Sequence, residues 1–202
     1  MSNYGRNFEF RVAPVSKDRS GRNFLDGAAV PIGAPVAYGT GGTVGGLNEL
    51  GLRPFVLAAD EAYTPVPGQG GVAIYEYGPS AFAGDDILLT TFSDKDTVPA
   101  GAAIQVVSGT YVKVVLRNIP AFTFSSVRAY TGRNMIRPAD TGSLAVGDGL
   151  IPGVGTDTGG YWRANGAVSV ATPGEAWLIV ERIASFEIHG ETGFEVEARL
   201  NF

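Results

Sequence analysis

FEVEARLNF, residues 194–202, sets Phe194, Val196, Ala198 and Leu200 on one side of an extended chain and Glu195, Glu197, Arg199 and Asn201 on the other. A period of two marks a strand with one face buried and one face wet, because successive side chains of an extended backbone point to opposite sides. Working back along the chain, AWLIVERIA (176–184) and GAVSVA (166–171) complete a C-terminal series of strands. GGVAIYEYG (70–78), DILLTTF (86–92), AAIQVVSG (102–109) and TYVKVVLRN (110–118) form a denser central series. Near the start, NFEFRV alternates Phe8, Phe10 and Val12 with charged neighbours. Helical spacing of apolar residues never persists beyond about ten residues free of Gly and Pro.

The punctuation agrees. Gly and Pro together make up 41 of the 202 residues, more than a helical protein tolerates. Ser108-Gly109 predicts a hairpin joining 103–108 to 111–117, and TPVPGQGG (64–71) and ATPGEA (171–176) place Pro before Gly as type II turns do. YGTGGTVGGLNELG (38–51) and GSLAVGDGLIPGVGTDTGG (142–160) are longer Gly-rich loops. The expected fold is all-β, an antiparallel sandwich or barrel with long Gly-rich loops and an extended N-terminal arm. The arm is residues 1–25 and the β-rich body 26–202, with a point of subdivision near 138–160.

Composition narrows function. The chain has no cysteine, which removes disulfides, thiolate metal sites and cysteine nucleophiles together. One histidine, His189, removes any site built on two imidazoles. Charged residues are 17% of the chain, below the usual quarter, and the net charge is −5, which argues against nucleic acid as a partner. No apolar run approaches the roughly 20 residues of a membrane span, and MSNYGRNFEF lacks a signal-peptide core, so no membrane partner is expected. The charge is uneven. Residues 1–24 carry five basic against two acidic groups, and residues 175–202 two basic against six acidic, a polarity suited to steering neighbouring subunits into register.

Asp94 and Asp96 form a D-x-D-x-V set after an apolar run, superficially like the nucleophile motif of haloacid-dehalogenase-like phosphatases. That chemistry needs a parallel sheet with crossover helices, which this pattern does not supply, and a charged turn explains the residues. GTGGTVGG (39–46) lacks both the Gly-Lys-Ser/Thr ending of a P-loop and the dinucleotide spacing. His189, in FEIHGE beside a Gly between two strands, reads as a turn residue. Asp85, Asp86, Asp94 and Asp96 lack the spacing of a calcium loop. The reading is therefore no enzyme, no catalytic residue, no metal and no cofactor.

Aromatic and basic residues point to interfaces instead. Tyr75 and Tyr77 share a strand face, and Tyr161-Trp162 follow a Gly-rich run; Tyr, Trp and Arg dominate interface hot spots. Arg117, Arg128, Arg133 and Arg137 interleave with Phe122, Phe124 and Tyr130 as in single-strand binders, but the acidic net charge favours an interface or core role.

GAAVPIGAPVAYG (27–39), PAGAAIQVVSG (99–109) and GSLAVGDGLIPGVGTDTGGYW (142–162) carry a resemblance. With the low charge, the lack of cysteine and the polar arm, the chain resembles tailed-bacteriophage virion structural proteins, most of all the capsid decoration, or cement, proteins. The resemblance implies a β-rich homotrimer on the outer surface of the virion capsid, made in the host cytoplasm, that binds the major capsid protein at capsomer junctions and stabilises the shell. It implies neither enzymatic activity nor a cofactor. In that picture Phe8, Phe10 and Val12 are apolar anchors for strand addition to a capsid sheet, and Arg6 and Arg11 steer. Another virion part (tail, baseplate or head-completion protein) is the alternative. A carbohydrate-binding module using Tyr75, Tyr77, Tyr161 and Trp162 is a third.

Overall fold

In the computed structural model of this chain, the structure describes residues 7–12, 23–25, 29–38, 53–57, 70–75, 97–98, 103–107, 112–126, 128–153, 159–165 and 176–201. The central feature is a hairpin of two long strands, β15 (Leu178–Ile188) and β16 (Glu191–Leu200), joined by His189 and Gly190. Both turn residues have positive φ, 49° and 84°. A two-residue loop with both residues left-handed matches the right-handed twist of the strands it joins, and glycine adopts that conformation without steric cost. The turn reading of His189 holds.

Around this hairpin the other strands assemble without regard to sequence order. β9 (Lys113–Ile119) lies on the far side of β16, and β1 (Phe8–Val12) lies on β9. β13 (Gly149–Pro152) pairs with β15, and β14 (Trp162–Ala164) with β13. The short β12 (Arg133–Asn134) also joins β9. All these pairings are antiparallel and the sheet is open. Five further strands close on themselves in the order β2 (Asn23–Leu25), β5 (Arg53–Leu57), β4 (Pro35–Tyr38), β6 (Gly70–Tyr75) and β8 (Ala103–Val107). β3 (Val30–Pro31) with β7 (Thr97–Val98), and β10 (Phe122–Ser125) with β11 (Arg128–Tyr130), form two ribbons. The only helix among the described residues is the single turn α1 (Pro138–Thr141). The chain is all-β and mostly antiparallel.

Two expectations are corrected here. The hairpin over Ser108-Gly109 does not form: β8 pairs with β6 and β2, whereas β9 pairs with β1 and β16. A turn signal fixes where a chain bends, not which strands then pair. Nor do the described residues of the extended arm stand apart from the body, because β1 is an edge strand of the main sheet and β2 belongs to the closed ring. Asn7 locks β1 in place. Its side-chain amide donates to the carbonyls of Arg117 (3.1 Å) and Arg133 (2.9 Å), and its own carbonyl accepts from the Arg117 amide (2.8 Å). The described part of 138–160 is likewise tied to the main sheet, through β13 and a hydrogen bond from the Gly147 amide to the Val180 carbonyl.

The register gives the main sheet two distinct faces. Val114 and Leu116 of β9, Val196, Ala198 and Leu200 of β16 and Leu178 and Val180 of β15 lie on the inner face and are closed off from solvent. β15 keeps to this pattern only because of a bulge. Val180 pairs with Ala198 and Arg182 with Glu197, so Glu181 is the extra residue. The bulge shifts the alternation by one, and Ile183 returns to the core face opposite Val196.

The core on this face is completed from elsewhere in the chain. Trp162 and Trp177 meet edge to face at 6.0 Å, and the Trp162 indole N–H donates to the Gly33 carbonyl at 2.9 Å. A buried Trp needs such a partner, since its one polar atom would otherwise lose water without compensation. Gly33 has φ +92°, and a Cβ there would come within 2.5 Å of the Phe8 ring. The turn before β4 therefore approaches β1 only as glycine. Asn118, the one polar side chain of β9 on this face, is satisfied on both sides, with Nδ2 donating to the Ile136 carbonyl at 2.8 Å and Oδ1 accepting from the Ile136 amide at 2.9 Å.

Candidate interaction face

The outer face of the same strands is charged. Register sets Arg117 of β9 directly beside Glu195 of β16, and they form a 2.7 Å ion pair with side chains only 3% and 7% exposed. Two charges taken from water this far hold their place only through close geometry and further hydrogen bonds. The second Glu195 oxygen is 3.4 Å from Arg182 of β15, completing a row across three strands. A second row lies further along. Glu181, freed by the bulge, reaches both Lys113 of β9 (2.5 Å) and Arg199 of β16 (3.2 Å). From the edge strand, Arg11 meets Glu197 at 3.3 Å.

At the hairpin end the outer face turns aromatic. Ile119, Phe122 and Phe186 are buried together, with Tyr130 and Ile188 packed against them, so the β10–β11 ribbon covers this end of the sheet. Phe122 stacks on Tyr130 at 5.1 Å and on His189 at 4.9 Å, a three-ring stack that ends in the exposed histidine. Phe186 pairs across the strands with Gly193, where a Cβ would overlap its ring. The ring shields a glycine backbone that lacks a side chain of its own. Among the described residues no three of His, Asp or Glu gather as metal ligands, and no helix is long and apolar enough to cross a membrane.

The residues singled out from sequence are placed as follows. Phe8 is buried in the inner core, and Arg11 is exposed and paired with Glu197. Phe10 and Val12 stand opposite Val114 and Lys113 in the register of β1 on β9, so their strand is already committed within the chain. Tyr75 ends β6, opposite Ile104. Arg6 and Tyr77 lie outside the described residues. Tyr161 and Trp162 are corrected: both are buried in the core that contains Phe8, Trp162 opening β14. A Gly-rich run before them read as a loop, but Gly160 enters the inner core with φ +87° pressed against the Arg137 backbone.

Sequence reasoning missed Lys113, Glu181, Arg182, Glu195, Glu197 and Arg199 as a set. Alternation put Glu195, Glu197 and Arg199 on one face, but pairing them across strands requires the register. The chain matches no protein family, no curated protein and no solved structure.

Proposed function

We propose that this chain is a structural, partner-binding protein of a tailed-bacteriophage virion, acting as a capsid decoration protein that binds the major capsid protein on the outside of the head and itself as a homotrimer. The observation that supports it is the two-faced main sheet. One face is sealed as core, and the other carries cross-strand ion pairs with several charged side chains partly open to solvent. Such a face suits recognition of a repeated protein surface, where many modest contacts add over a lattice. Binding to the assembled shell and not to free subunits would stabilise the shell by mass action.

Strand addition to a capsid sheet would use the free edge of β1 and would not use Phe8 as an anchor. β1 already pairs with β9, and Phe8 fills this chain's own core. The carbohydrate-binding reading loses two of its four aromatics to burial, Tyr161 and Trp162.

The test is co-sedimentation of the purified protein with undecorated capsids, together with its native mass. Capsid binding and a trimeric mass support the proposal. A hexameric or dodecameric ring that ignores capsids points to the tail or neck, and a monomer that ignores capsids overturns it.

A further inference from the structure

The ion pairs of the outer face are unequal in a way that sets its outward charge. Arg182 is 55% exposed while its carboxylate, Glu195, is 7% exposed. Arg11 is 47% exposed and Glu197 16%. Glu181 is shared by two cations, Lys113 and Arg199, and Glu195 by two, Arg117 and Arg182. These ion pairs together join five cations to three carboxylates. In the two most lopsided pairs the carboxylate is the more covered partner and the guanidinium group reaches solvent. A chain of net charge −5 thus turns a positive strip outward on one side of its main sheet.

We propose that this strip, led by Arg11 and Arg182 with Lys113 and Arg199 beside them, docks an acidic surface of a shell protein. The inference deepens the decoration reading and rests on it for the identity of the partner. Exposed ion pairs are weak, typically below about 1 kcal/mol, because water competes for both groups. An incoming carboxylate can therefore take a share of Arg182 or Arg11 at little cost. Guanidinium groups suit this exchange, since one planar fork can address two carboxylates at once. The more covered carboxylates, Glu195 and Glu197, serve as anchors that keep the arginines pointing outward, which lowers the entropy lost on docking.

The experiment compares the wild type with Arg11→Gln/Arg182→Gln and with Glu197→Gln. Each is titrated against three probes: undecorated capsids, immobilised poly-L-glutamate and a short DNA duplex. Neutralising the two arginines is expected to weaken capsid and poly-glutamate binding about tenfold at physiological ionic strength, with binding falling as salt rises. Glu197→Gln, which uncovers Arg11, is expected to tighten binding, an outcome that simple loss of structure would not produce. Circular dichroism of each variant confirms the fold. If capsids are ignored but poly-glutamate follows this variant pattern, the docking chemistry stands and the decoration reading falls. If capsids bind wild type and the double variant equally, the decoration reading stands and this inference is overturned. Tighter binding to DNA than to poly-glutamate also overturns it.

Discussion

On the inner face of β9 and β16, Leu116 and Val196 sit side by side without exposure to solvent; one position along the same strands, Arg117 and Glu195 are buried almost as deeply as a charged pair. The two faces reach similar burial by different physics. The inner face gains from every apolar group removed from water, so its stability is spread over many residues. On the outer face burial is conditional, because each charge is tolerated only while its partner is present. A two-faced sheet of this kind can carry its stability on one side and spend charged groups for recognition on the other.

That contrast can be broken or sharpened by substitution. The largest effect is expected from Trp162→Ala, which empties a fully buried site and removes the hydrogen bond to Gly33, at about 4 kcal/mol by denaturant unfolding. Next, Glu195→Ala should cost about 3 kcal/mol, because the buried Arg117 guanidinium loses its 2.7 Å ion pair. The double variant Arg117→Met/Glu195→Met should recover much of that loss. If the double costs as much as both single changes together, Arg117 and Glu195 are uncoupled, contrary to this account. Gly193→Ala should cost about 2 kcal/mol through displacement of the Phe186 ring, seen as altered aromatic circular dichroism. Smallest of all, Arg11→Ala should cost about 0.5 kcal/mol, and less as salt is added.

How much was legible in the sequence follows from what a one-dimensional pattern encodes. Alternation identified β16 and the strand character of β1, and the Gly after His189 marked the hairpin turn. Alternation does not name a strand's partner, so it gives no sign that β1 pairs with β9, over a hundred residues along the chain. The bulge at Glu181 was equally invisible, because an extra residue exists only relative to the strand opposite. Glycine marks both loose loops and the closest approach of backbones to a core; Gly160 does the second, so the Gly-rich run hides the burial of Tyr161 and Trp162. The charged strip needed all three features at once: strand order, register and bulge.

The most direct test of the outward-facing strip is chemical footprinting of Lys113, whose amine is partly exposed beside Glu181. Acetylation of the protein alone and on undecorated capsids, read by mass spectrometry, should show Lys113 modified in solution and protected on the shell. Equal modification of Lys113 in both states, with the protein demonstrably bound, would contradict the account.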